Sequence, residues 1–451
     1  MDNVWYYKQS VKLEERIISE FKQQGKWNLV IWSDNEFYRS VHSSHERESF
    51  FKFSYKKMNN SVYNGIKPKL FKFIEMYSRW SKLGSFLPDN RTIYDYENIF
   101  NMMVNYTYHK LVDNKISLII FNRAPHIGGD FILYELGQLL GIKTLIMEQS
   151  QFPNKFFYYF KNEDYGNFET SSNLREYNKI EIQSKFEKEI WYMNKKEIST
   201  FNIKNSLYKK FQDEYRLIKE LFIYRTDKNA IERYFLKKKY KNNNNLYSVS
   251  SIDLKLKYVY FPLHLQPEKT TSIWGGVYVD QLLAVEKLRD ILPEDWYIYI
   301  KENPKQNYYI RGNSFYERLR KINHTILIDK RFDTYNLMKN CQFVATVAGT
   351  AGWEAITGGK KTLVFGWGVW YKNLPGVFKF DEGFKLNDIL DYNFEHNELE
   401  IALSKLMMKM AEGIIYLQYS RGYKDYDFEI NIRTVYNSMY SILYNKNGEI
   451  N

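Results

Sequence analysis

Two groups of residues in this 451-residue chain have the types and spacing to do chemistry. In the second half, His264 and Glu268 stand four positions apart, with Pro267 stiffening the link. An imidazole and a carboxylate so placed can hold a hydroxyl-rich group, shuttle a proton, or simply bond to each other. Two such ligands without a third make a weak metal site, so none is expected. Lys301-Glu302 offers a cation for a phosphate or carboxylate; its alternative is a surface ion pair. Gly349-Thr350-Ala351-Gly352-Trp353-Glu354-Ala355 is rich in small residues, which let backbone approach a ligand closely. A helix opening there would add free N–H groups and a partial positive charge, which suit a phosphate. The same turn could serve helix–sheet packing alone. In the first half, Arg123, His126 and Asp130 gather around Gly128-Gly129. Asp130 is placed either as a general base or as a helix cap. Asp34 and Glu148 end other apolar runs, so three acids are expected to converge on one edge.

These residues need elements to hold them. Tyr258–Leu263, Trp296–Ile300, Phe343–Val347 and Thr362–Phe365 are short apolar runs rich in aromatic and β-branched residues, the pattern of buried strands. They end at His264, Lys301, Ala348-Gly349 and Gly366 respectively. Helix-like segments separate them, which predicts a parallel sheet with crossovers, and in such sheets ligands bind at the carboxyl ends of the strands. The first half reads similarly. Strands are expected at Asn28–Trp32, Ile116–Phe121 and Thr144–Met147, with a helix over Val11–Gln24 and another over 131–140 that Gly141 closes. The polar tract Asn242–Asn245 reads as a linker. The expected division is 1–245, 246–390 and a helical tail 391–451.

Composition is that of globular material, 44% hydrophobic and 26% charged. The formal charge of +12 is diffuse, with one dense run at Lys237–Lys241, and favours peripheral contact with anionic membrane over a nucleic-acid partner. The single cysteine, Cys341, excludes an internal disulfide and reads as a small core residue. The first residues lack the apolar core of a signal peptide, and no run approaches the ~18 apolar residues of a membrane span. A cytoplasmic location is expected, at the inner face of the membrane if anywhere.

At these residues the chain resembles the capsule polysaccharide biosynthesis family of bacterial glycosyltransferases, which includes β-Kdo transferases. The matching pieces are Phe261–Glu268, Tyr299–Pro304, Gly349–Ala355, Gly359 and Phe365-Gly366. The chain departs from the family pattern at Asn303, where a His is usual, and at Gly349, where a Ser is usual. The resemblance implies an α/β, GT-B-like fold: two Rossmann-like domains with parallel sheets facing across a cleft, followed by C-terminal helices, the last packing back on the first domain. It implies transfer of a sugar from a CMP- or UDP-linked donor to a surface polysaccharide or glycolipid precursor, with no metal or cofactor. On that reading Lys301, Gly349, Thr350 and Gly352 serve the donor phosphate, and His264 and Glu268 orient the sugar or nucleotide. Glu302, Glu354 and Gly366 lie on the same side. Asp130 or His126 acts as base, Glu268 being a third catalytic candidate, while Asp34, Arg123, Gly128, Gly129 and Glu148 line the acceptor side. The alternatives are a nucleotide-sugar epimerase of the same fold, and a non-catalytic basic protein binding polysaccharide or nucleic acid.

Overall fold

The computed structural model describes residues 1–7, 11–32, 54–80, 92–168, 181–182, 228–266, 268–306, 311–422 and 426–444. The described residues up to 168, with 404–444, form one unit; those from 181 to 403 form the other.

The first unit is built on a six-stranded sheet. Its strands are β1 (Asp2–Tyr7), β2 (Trp27–Trp32), β3 (Leu118–Phe121), β4 (Lys143–Gln149), β5 (Lys155–Tyr159) and β12 (Ala411–Glu412). The order is β2-β1-β3-β4-β5-β12. The first four strands run parallel; β5 is antiparallel to β4, and β12 to β5. The sheet is thus mostly parallel, as expected, with two antiparallel strands added at one edge. β1 also went unread, because Val4-Trp5-Tyr6 is too short a run to stand out. All four residues of β3 are buried, which is why its sequence Leu-Ile-Ile-Phe shows no alternation. The helix Val11–Gln23 lays Leu13, Ile17, Ile18 and Phe21 on the sheet, and the C-terminal helix Phe428–Leu443 covers them with Ile432, Val435 and Met439. Each fully buried side chain of this size stabilises the fold by about 1.5–3 kcal/mol. A charge at Val435 would break this layer first. Gly141 closes the helix Gly128–Leu139 in the left-handed region, at φ +66°, as its type predicts.

The second unit has β6 (Tyr258–Pro262), β7 (Tyr297–Lys301), β8 (Thr325–Ile328), β9 (Val344–Thr346), β10 (Thr362–Val364) and β11 (Val377–Lys379). All are parallel, in the order β8-β7-β6-β9-β10-β11. Counted from β6, that is the 3-2-1-4-5-6 order of a doubly wound dinucleotide-binding sheet. The first unit's parallel strands, in the order 2-1-3-4, match the start of the other common doubly wound order, 2-1-3-4-5. Both units are therefore Rossmann-like α/β folds.

The tract Asn242–Asn245 is no linker. It lies within the helix Lys228–Tyr247, where Asn244 is buried and Asn243 donates to Asn313 Oδ1 at 2.7 Å. Neighbouring helix turns and these partners override the low propensity of asparagine. Cys341 is buried, its thiol directed at Met338 O.

Candidate functional site

In the second unit the strand order reverses between β6 and β9, so their carboxyl ends part and leave the crevice where such sheets bind ligands. His264 stands two residues beyond β6. Its Nε2 lies 3.2 Å from the backbone N of Val347 and 2.9 Å from Thr346 Oγ1. An N–H can only donate, so Nε2 is the acceptor and the ring proton sits on Nδ1. Burial, then the nearby Arg311 charge, push the imidazole pKa down to about 4, so the ring is neutral at pH 7. No described residue partners Nδ1. The ring packs against Gly349: a Cβ there would fall on the imidazole, with Nδ1 at 3.0 Å. A side chain at this position would need the space that His264 occupies. Gly349 in turn precedes the helix Thr350–Thr357 and caps it without a side chain, and Thr350 is exposed at its first position. A neutral N–H donor and a helix N-terminus thus meet at the crevice.

The loops around it are locked by one buried arginine. Arg311 Nε donates to Glu302 Oε2 (2.7 Å), Nη1 to Gln266 Oε1 (2.8 Å) and Nη2 to His264 O (3.3 Å). Gln306 exchanges hydrogen bonds with the backbone of Gln266 in both directions, and Gln281 does so with His264. Glu302, expected toward the donor, is consumed in this network and also caps the N–H of Asn303. Lys301 is likewise turned away. Its Nζ donates to Phe332 O and Thr334 Oγ1, both at 2.6 Å, and burial pushes its pKa down to about 8 against the pull of Asp333 and Asp329. Gly352 and Gly366 serve packing. A Cβ at Gly352 would meet Tyr371 and Thr362, and one at Gly366 would meet the carbonyls of Trp274 and Val347. Glu354 is buried in its helix near Tyr260 and Tyr335. Glu268 is half-buried, accepts from Thr270 Oγ1 at 3.1 Å, and has its pKa raised by burial.

In the first unit the strand order reverses between β1 and β3, and Arg123 stands two residues beyond β3. Ala124 organises the turn: its N–H donates to Glu148 Oε2 (3.1 Å) and its carbonyl accepts from His126 Nδ1 (2.7 Å). Asp130 then does two things. Its Oδ1 accepts from Ile127 N–H at 2.6 Å, the cap reading. Its Oδ2 is buried, has no hydrogen-bond partner and lies 3.8 Å from His126 Nδ1. Burial pushes the Asp130 pKa up to about 7, with Arg123 and local N–H groups pulling the other way. That suits a proton acceptor working near neutrality. Gly128 is required by Phe73 and Tyr77, which a Cβ would strike, and Gly129 is buried. Asp34 lies outside the described residues.

Sequence reading missed Glu14. It is wholly buried, accepts from Asn122 Nδ2, and Asn122 Oδ1 accepts from Tyr6 at 3.0 Å. The signal was present: Glu14 falls on the same helix stripe as Ile17, Ile18 and Phe21, where an acid is out of place. Among the described residues, no cluster of three His, Cys, Asp or Glu side chains could hold a metal, and no helix is long and apolar enough to cross a membrane.

A family model described as "Capsule polysaccharide biosynthesis protein" matches residues 146–379, just over half of the chain. The chain belongs to the capsule polysaccharide biosynthesis protein family. The matched segment contains the whole second-unit site but starts beyond Arg123, His126 and Asp130. No curated protein matches. Among solved structures, the chain is similar to a Thermosulfurimonas dismutans KpsC beta Kdo 2,7 transferase, at 10% identity and TM-score 0.36, covering 97% of this chain and 99% of that one. A KpsC beta Kdo 2,4 transferase of the same organism gives 11% and 0.32, over 66% and 82%. A UDP-GlcNAc 2-epimerase from Methanocaldococcus jannaschii gives 10% and 0.25, over 90% and 99%. TM-scores this low leave these as likenesses alone.

Proposed function

We propose that this member of the family is a glycosyltransferase that moves a sugar from a nucleotide-sugar to a surface-polysaccharide or glycolipid precursor, with the donor held by the second unit and the acceptor by the first. The observation that carries the donor half is His264 seated on Gly349 at the β6/β9 crevice. In the reaction an acceptor hydroxyl oxygen bonds the anomeric carbon as the bond to the nucleotide phosphate breaks. The phosphate gains charge as it departs. The His264 Nδ1–H and the first N–H groups of the helix at Thr350 would stabilise that charge in place. The hydroxyl proton passes to a base, for which Asp130 has the fitting pKa.

The test is calorimetric titration of CMP, UDP and GDP, beside transfer assays. One nucleotide should bind, and its sugar should be consumed only when an acceptor is present. Conversion of the nucleotide-sugar without any acceptor would assign an epimerase instead; binding of none of the three would end the donor reading.

The same reading places the protein at an anionic membrane face. Lys238, Lys239 and Lys241 are exposed on the helix Lys228–Tyr247, and each cation near such a surface is worth about 1 kcal/mol. Sedimentation with phosphatidylserine vesicles should fall with salt; equal binding to neutral vesicles would discard the electrostatic account.

A further inference from the structure

Buried polar atoms almost always find a partner, and each one that does not calls for a ligand or ordered water. In the first unit four unpartnered buried atoms, Arg123 Nε, Asp130 Oδ2, Tyr159 OH and Tyr416 OH, belong to residues linked by electrostatic contact: Asp130 with Arg123, Arg123 with Tyr416, and Tyr416 with Tyr159. The fold draws these residues from four places. Arg123 follows β3 and Asp130 opens the next helix. Tyr159 pairs with Ile146, two residues before Glu148, so Tyr159 and Glu148 share one face of the sheet. Tyr416 comes from the C-terminal segment, which is clamped in place. Gln149 Oε1, at the end of β4, accepts the N–H groups of Ile415 (2.8 Å) and Tyr416 (3.1 Å), and Asn431 pairs with both backbone groups of Ile414. Burial first, then the Glu148 carboxylate, push the pKa of both phenols up, and Arg123 opposes this at Tyr416. Both hydroxyls are therefore protonated at neutral pH, within electrostatic reach of Glu148.

The donor and acceptor inventory selects the ligand. Arg123 Nε can only donate; an ionised Asp130 Oδ2 can only accept; the two phenols can do either. Adjacent sugar hydroxyls also do both. A carboxylate or phosphate on the ligand would instead be set beside two acids, Asp130 and Glu148, against the single cation of Arg123. Resting on the acceptor role given above to this unit, we propose that the cluster is the subsite for a neutral, hydroxyl-rich sugar at the acceptor terminus, and that Tyr416 and Tyr159 select it.

Saturation-transfer NMR on the full chain tests this, using neutral methyl hexopyranosides and the matching methyl uronides as probes. The neutral glycosides should bind, with the uronides at least about tenfold weaker. Tyr416→Phe and Tyr159→Phe should each weaken the neutral glycosides by about tenfold, the worth of a hydrogen bond in a site built for it, with no fall in melting temperature. Equal binding of uronides, unchanged affinity in both variants, or no transfer to any glycoside would overturn the proposal; the last two results would mean that the atoms hold buried water only. Nucleotide titration on the same samples separates the failures. Glycosides failing while a nucleotide binds removes the acceptor subsite alone, and the reverse removes the donor reading alone.

Discussion

The two sheets end differently. At the carboxyl edge of the second unit Arg311, Glu302, Gln266 and Gln306 meet one another's hydrogen bonds, and the chain behind the crevice is fixed before any ligand arrives. At the corresponding edge of the first unit Asp130, Arg123, Tyr159 and Tyr416 each keep a buried atom without a partner. Each such atom costs about 1–3 kcal/mol. The loops behind the second unit's crevice are tied to one another, whereas the first unit's edge leaves four buried polar atoms without a protein partner. Removing a polar group should therefore cost stability in the second unit and activity in the first.

The largest effect tests that contrast at Asp130. Asp130→Asn keeps the cap, since Asn accepts from Ile127 N–H as Asp does, but removes the proposed base. Turnover should fall on the order of 10²–10⁴-fold. The sign of the stability change follows from the raised pKa. The folded protein favours the protonated acid, so this group contributes most stability below its unfolded pKa of 3.8 and loses it as pH rises to about 7. Asn imitates the protonated form. The variant should melt higher than wild type at pH 8, with the difference closing toward pH 4, and wild-type turnover should drop below about pH 7. A variant that melts lower at pH 8 and keeps its rate would reduce Asp130 to a cap and pass the base to His126.

Next comes Arg311→Ala, which strands a buried Glu302 carboxylate and should cost about 3–5 kcal/mol in chemical denaturation. Tyr416→Phe should change stability by less than about 0.5 kcal/mol in the same assay. Equal losses at the two positions would erase the difference between the edges. Gly349→Ser follows. The new side chain displaces the imidazole, at about 1–3 kcal/mol of strain, and nucleotide affinity should fall with it; unchanged affinity would mean that His264 is a bystander. The smallest effect concerns pH. His264 has its pKa depressed from 6.5 to about 4, so its contribution to stability is present above pH 6.5 and lost as pH falls toward 4. Melting in that window should be less pH-dependent in His264→Gln.

The frame of both sheets was legible because their central strands are buried on both faces. Tyr258–Pro262, Tyr297–Lys301 and Leu118–Phe121 stand out as unbroken apolar runs. Two edge strands were not: β12 is two residues long, and β8 is fully buried only in its last two residues. The site divides similarly. The placing of His264, Gly349 and Thr350 at the crevice was readable because each stands within four residues of a strand's end. Lys301 ends a strand and Glu302 follows it, yet their long side chains reach Thr334 and Arg311 instead, partners 33 and 9 residues away that no local pattern signals. Tyr416 was out of reach for the same reason, since only the fold brings the C-terminal segment to Gln149.

The division of labour is tested most directly by titrating the nucleotide that wild type binds into Asp130→Asn and His264→Gln by calorimetry. Asp130→Asn should bind it as wild type does, and His264→Gln about 2- to 10-fold more weakly, the worth of one neutral hydrogen bond. The reverse pattern, with nucleotide affinity lost in Asp130→Asn and intact in His264→Gln, would contradict the assignment of donor and acceptor to the two units.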